Sequence, residues 1–233
     1  MYKRQEFLFK KNKVDYVLGT GKILEKGKVE VIASDGQQQT LESEHILVAT
    51  GCKTREFPDL PFNGLSVVGI SEAMVMENQP KDIIIIGAGA IGVEFAYFFN
   101  AFGTKVTIVE MMPNILPVED HEVSVELEKS FKKSGIEILS STKVVGTKDL
   151  GNGVEITIQE EGSDPRTLSS EVALIAIGVA PVLPADFEMD LDRGYIVTDD
   201  NYQTSAPGVY AVGDIIGPPS VSYTHLTLPT SVT

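Results

Sequence analysis

Four isoleucines, Ile83 to Ile86, run without a break into Gly87-Ala88-Gly89-Ala90-Ile91-Gly92. An amphipathic stretch follows, with Ile91, Phe95, Phe98, Phe99 and Phe102 near helical spacing. A second apolar run, Val106 to Val109, then ends at the acid Glu110. Strand, tight turn, helix, strand and acid, in that order, make a dinucleotide-binding βαβ unit. Gly87 turns the chain sharply out of the strand. Gly89 has no Cβ, so backbone can approach a pyrophosphate, and Gly92 lets the helix lie close to the sheet. Free N–H groups at the helix start face the phosphates. Glu110 comes close to the roughly 20-residue spacing expected of an acid that binds an adenosine ribose. Its carboxylate would accept from the 2′-hydroxyl and repel a 2′-phosphate. No Lys or Arg stands between Glu110 and Lys129, so the cofactor expected is NAD, not NADP.

Bulk properties narrow the remaining classes. The chain has 233 residues and a formal net charge of −14, which makes nucleic acid and anionic membranes poor partners. No apolar run approaches the ~20 residues a membrane span needs. Met1 to Lys13 is charged and lacks the apolar core of a signal peptide. Cys52 is the only cysteine, so no intrachain disulfide forms and a reducing, cytoplasm-like compartment is expected. His45, His121 and His225 are scattered, and no metal site is expected.

Residues 13–51 read as β-rich. Val14, Tyr16 and Leu18 alternate, Val29–Ala33 is a strand, Asp35-Gly36 is a hairpin turn, and Glu44–Thr50 is an apolar strand ending at Gly51. Pro and Gly make 53–66 a linker, and Ser71–Asn78 is a short helix. After the βαβ unit at 81–110 come a loop at 111–120 and an amphipathic helix at 122–133. Strands are expected at 136–139, over 143–160, at 172–177, at 194–198 and at 208–212. Ile46–Gly51 and Leu174–Gly178 are alike: buried strands that stop at a glycine. Their placement around the βαβ unit suggests one dinucleotide domain inserted in another, with connecting peptides near 52–80 and 179–193.

Together, Ala49-Thr50-Gly51, Gly87–Glu94, Glu110, the Ile115–Asp120 loop, Ala176-Ile177-Gly178 and Tyr210–Asp214 resemble the FAD- and NAD-dependent pyridine nucleotide-disulfide oxidoreductases. Within that family they are most like the dihydrolipoamide dehydrogenases. The resemblance covers Lys10 to Pro219. It implies an α/β fold: a Rossmann-like NAD-binding domain inserted into a partial FAD-binding domain with a β-meander. The domains expected are 1–66 (β-rich part of the FAD-binding domain), 67–190 (NAD-binding domain) and 191–219 (return of the FAD-binding domain). The resemblance also implies roles. Gly87, Ala88, Gly89, Ala90, Ile91, Gly92, Val93 and Glu94 would hold the NAD pyrophosphate and nicotinamide side, with Glu94 near the nicotinamide ribose. Glu110 would bind the adenosine ribose, Val144 would touch adenine, and Gly178 would lie where NAD approaches the flavin. Gly21, Thr50, Gly51 and Cys52 would line FAD, and Asp214, beside Gly213, would accept from the ribityl chain.

The family's redox cysteine pair, its N-terminal FAD-binding glycine motif and its C-terminal His–Glu pair have no counterpart in these residues. No catalytic residue is therefore expected here, and the chain alone should not turn over. Residues 220–233, with Val221 to Thr230, resemble a translated sequencing adapter, so a fragment of a longer reading frame is expected, with Met1 internal. The parent would be a homodimer that oxidises a lipoylated protein of a 2-oxo acid dehydrogenase complex. It would work in the bacterial cytoplasm or, in a eukaryote, the mitochondrial matrix. Glutathione- or mercuric reductase-like substrates, and a non-enzymatic NAD-binding module, stay open at this point.

Overall fold

The computed structural model describes residues 2–56 and 61–217. The adapter-like stretch, and Phe57 to Leu60 of the expected linker, lie outside the described residues. The described residues form two compact units: one within 54–180, and one of 2–53 together with 181–217. Both crossings fall N-terminal of the 66/67 and 190/191 boundaries read from the sequence.

The first segment carries α1 (Tyr2–Lys11), β1 (Thr20–Glu25), β2 (Lys28–Ile32), β3 (Gln38–Glu42) and β4 (Ile46–Val48), with β5 (Cys52–Thr54) at the crossing. Then come β6 (Val67–Val68), α2 (Ile70–Met74), β7 (Asp82–Ile86), α3 (Ala90–Ala101), β8 (Lys105–Val109), α4 (His121–Lys133) and β9 (Glu137–Leu139). They are followed by β10 (Thr142–Asp149), β11 (Val154–Glu160), β12 (Arg166–Ser170) and β13 (Val172–Ile175). The return segment holds β14 (Val179–Pro181), β15 (Leu191–Asp192), β16 (Tyr195–Ile196), β17 (Val209–Ala211) and a 3₁₀ turn at Gly213–Ile216.

In the 54–180 unit a parallel sheet runs in the order β6-β13-β7-β8-β9. The uninterrupted isoleucines of β7 follow from burial on both faces. Ile83 and Ile85 enter a cluster with Val93, Ala96 and Phe99 of α3 and Phe131 of α4. Ile84 and Ile86 point the other way, onto Val154, Ile156 and Ile158 of β11. The β10-β11-β12 antiparallel sheet thus covers the face that the helices leave bare. Parallel order puts the carboxyl ends of β7, β8 and β13 at one edge, where ligands of open α/β sheets bind.

A polar clasp ties the loop before β6 to the β10–β11 turn. Asn63 Oδ1 accepts the N–H groups of Leu65, Ser66 and Val67. Asp149 accepts from Asn63 Nδ2 at 2.6 Å, from Ser66 Oγ at 2.9 Å and from Gly151 N–H at 2.8 Å. The Gly151 N–H, then Asn63 and Ser66, hold the Asp149 carboxyl below its ordinary pKa. A depressed folded-state value means stabilisation that is present above the unfolded pKa and lost as pH falls through the folded one. Melting temperature is therefore expected to drop below about pH 4, and Asp149→Asn to flatten that part of the profile. Superimposable pH–melting curves for the two proteins would remove the clasp from the account.

The other unit holds an antiparallel β1-β2-β3 meander and a parallel pair, β4 with β17. Its core gathers Ile23, Ile46, Val48, Ile196, Val209, Ala211 and Ile215. Val14, Tyr16 and Leu18 are exposed and form no strand. The Val14 N–H goes to Phe9 O at the end of α1 and Tyr16 stacks on Phe9 at 5.5 Å, so this stretch serves helix α1 and not a sheet neighbour.

Candidate nucleotide site

Each glycine of the turn after β7 has a distinct geometry. Gly87 sits at φ +102, where a Cβ would meet Ala176 O at 2.5 Å, and its N–H bonds Val109 O at 2.9 Å. Gly92 faces the same turn, and a Cβ there would overlap Gly87 O. Gly89, the N-cap of α3, is the opposite case: its φ is −68 and a Cβ would meet nothing within 4 Å. The first two glycines let helix and strand pack, and the third leaves open space in front of the helix N-terminus.

That space belongs to a cavity of about 650 Å³. Of the expected NAD residues, Gly87, Gly89, Ala90, Ile91, Glu110, Val144 and Gly178 line it. Gly178, at φ +102, also has nothing within 4 Å of a Cβ position. Ala88, Gly92 and Val93 are buried and support the wall from behind. Glu94 is exposed and lines a different, apolar cavity of about 710 Å³ beside Phe95, Phe98 and Phe102. The phenylalanine series is split accordingly: Phe99 is buried against the sheet, while Phe98 and Phe102 are exposed.

Glu110 is only 8 % exposed, yet it faces the cavity. Its Oε2 accepts from Ala88 N–H at 2.6 Å and its Oε1 from Met112 N–H at 2.7 Å. These charge-assisted bonds offset the cost of burying the carboxylate. Its backbone carbonyl accepts from Thr142 N–H at 2.9 Å, bringing the start of β10 to the same wall. Met111, Pro117, Lys143 and Ile177 also line the cavity. The sequence reading assigned them no role, although Pro117 and Ile177 lie inside stretches that carried the resemblance.

In the other unit, β4 and β17 run parallel, so Thr50-Gly51 and Gly213-Asp214 follow neighbouring strand ends. The Val212 N–H bonds Val48 O at 3.1 Å. Thr50 Oγ1 donates to Val182 O at 2.6 Å, and Cys52 Sγ, half-buried, donates to Asp214 O at 3.2 Å. Gly51 and Gly213 both have positive φ. Asp214 Oδ1 is buried without a hydrogen-bond partner among the described residues, an acceptor left open for a donor. Gly21 lies apart from this group, exposed on β1 opposite Val31. Among the described residues no cluster of His, Cys, Asp or Glu could hold a metal ion, and no helix is long and apolar enough to cross a membrane.

Comparison with known proteins agrees with this architecture. The chain is 38 % identical over 216 residues to a dihydrolipoyl dehydrogenase of Chlorobaculum parvum, covering 91 % of this chain and 46 % of that one. It is 35 % identical over 224 residues to the mitochondrial dihydrolipoyl dehydrogenase 2 of Arabidopsis thaliana, covering 94 % and 44 %. The crystal structure of LpdA from Mycobacterium tuberculosis superposes with a TM-score of 0.84 at 26 % identity, over 94 % of this chain and 50 % of that one. The chain thus spans about half the length of the curated relatives it matches. The profile of the pyridine nucleotide-disulphide oxidoreductases matches residues 1–227, and the chain belongs to that family.

Proposed function

We propose that this chain carries the NAD-binding unit and part of the FAD-binding unit of a dihydrolipoyl dehydrogenase. One observation carries the reading: a single cavity joins the open space at Gly89 to the carboxylate of Glu110. The first takes a pyrophosphate and the second takes the two hydroxyls of a ribose, at the separation that the βαβ unit builds. The N–H groups that open α3 face the phosphates, Val144 flanks the adenine, and Gly178 leaves room at the far wall. Glu94 is assigned to the nicotinamide ribose on the resemblance alone.

In the other unit Asp214 Oδ1, buried and without a partner among the described residues, supports a ribityl hydroxyl as its donor, with Gly213 allowing the approach. Thr50, Gly51 and Cys52 stand on the neighbouring strand end and would line the same ligand, and Gly21 joins them on the resemblance. When bound, FAD relays two electrons from a dithiol to NAD, which takes them as hydride. Residues of this chain hold and orient the two groups; the dithiol belongs to residues outside this sequence, whose only cysteine is Cys52. The parent acts on a lipoylated protein of a 2-oxo acid dehydrogenase complex and is a homodimer. Its compartment is the bacterial cytoplasm or the mitochondrial matrix, following its bacterial and mitochondrial relatives.

Fluorescence titration with NADH and NADPH tests the proposal. Glu110 leaves no neutralising group for a 2′-phosphate on its own oxygens, so NADH is expected to bind at least about tenfold tighter, a difference of about 1.4 kcal/mol. Equal affinities would remove the ground for choosing NAD over NADP.

A further inference from the structure

The carboxylate of Glu110 does more than face the cavity. Each of its oxygens is engaged by one backbone N–H, and the two donors belong to different segments: Ala88 to the glycine turn, Met112 to the loop after β8. The same pair of segments is joined a second time, because Leu116 N–H donates to Ala88 O at 2.8 Å. Leu116 holds φ +47 while buried, a left-handed conformation that leucine does not adopt unless its surroundings impose it. Ser124 Oγ, at the start of α4, donates to Leu116 O at 3.2 Å and fixes the loop from its other side. One charge therefore braces the phosphate-facing turn against the loop. A carboxylate oxygen accepts more than one hydrogen bond, so both oxygens keep a lone pair for a ligand.

We infer that Glu110 is a positioning residue for the glycine turn, in addition to any contact it makes with a ribose. The ligand part of this inference rests on the NAD reading; the bracing part does not. Without the carboxylate, the buried Ala88 N–H loses its acceptor, and the turn must move to find another. Loss of Glu110 then weakens every ligand that uses the turn, including one with no adenosine.

Three forms of the full chain decide it: wild type, Glu110→Gln and Glu110→Ala. Each is titrated with NADH and with reduced nicotinamide mononucleotide, which has a phosphate but no adenosine. Amide hydrogen exchange at Ala88 and Met112 is followed without nucleotide. Exchange at both amides is expected to rise at least about tenfold in Glu110→Ala, with affinity for the mononucleotide falling by a similar factor. Glu110→Gln should be intermediate, since one oxygen still accepts. Weaker NADH binding with unchanged mononucleotide affinity and unchanged exchange would overturn the inference and leave Glu110 a ribose contact only. If wild type binds neither nucleotide, the NAD reading fails while the exchange data still decide the brace. Should Glu110→Ala not fold, or the mononucleotide bind too weakly to titrate, exchange in wild type and Glu110→Gln decides: an unprotected wild-type Ala88 amide refutes the brace, and faster exchange in the glutamine variant supports it.

Discussion

Gly89→Ala is expected to leave the protein folded and to weaken NADH binding by at least about tenfold, or about 1.4 kcal/mol. Among the described residues nothing opposes the added methyl. Its position is empty for 4 Å around, and the φ of −68 suits alanine as well as glycine. Gly89 caps α3 without a side-chain hydrogen bond, so none is lost, and the change in stability should stay within about 1 kcal/mol. What the methyl fills is the space in front of the N–H groups that open the helix. A pyrophosphate drawn to those groups would have to retreat by about the radius of a methyl group, and hydrogen bonds weaken steeply once stretched. Thermal melts and NADH titrations on the same samples give the answer. An unaltered affinity would mean that no phosphate approaches Gly89.

Gly92→Ala, three residues on, is expected to fail for the opposite reason. There the methyl would overlap the carbonyl oxygen of Gly87, while Ala176 would stand at ordinary contact distance. The obstructing atom is backbone at the end of a core strand, held by the Gly87 N–H bond to Val109 O, so it cannot swing aside. Helix α3 must lift off the sheet and open gaps around Val93, Ala96 and Phe99. Overpacking of this kind costs about 3 kcal/mol at the upper end of its usual range, which for a chain of this size is on the order of 10 °C in melting temperature. Calorimetry reads it directly. A melt within about 2 °C of wild type would show room between helix and strand that the geometry denies. The two alanine variants have the same chemistry and opposite expected outcomes, which separates the glycine kept for a ligand from the glycine kept for packing.

Much of this was legible in the residues because the signals were local. The β7–α3–β8 unit is found where periodicity and glycines put it, and the 122–133 helix begins at His121. The acid at the end of β8 could be read from spacing alone. Its two amide partners could not, since they depend on how the 111–120 loop folds back over the turn. β12 went unread because Arg166-Thr167-Leu168-Ser169-Ser170 is mostly polar; only its pairing with β11 makes it a strand. Val14 to Leu18 misled in the other direction. Alternation marks a strand only if a neighbour supplies hydrogen bonds, and here helix α1 takes that place. The phenylalanines at helical spacing suggested one buried stripe, but the sheet covers only the Phe99 side of α3 and leaves Phe98 and Phe102 at the rim of the apolar cavity.

The pairing of β4 with β17 carries a consequence for synthesis. Ile46 and Val48 are made roughly 160 residues before their parallel neighbours Val209 and Ala211, an interval of about 10–30 s at ordinary elongation rates. For that interval β4 has an open edge, while the βαβ unit between the two strands can close on itself. Translation speed across residues 54–180, and the chaperones that shield a waiting strand, therefore bear on the yield of the unit that holds β4 and β17 more than on that of the 54–180 unit. A slow-codon stretch placed before residue 209 would lengthen the exposure without changing a single native contact.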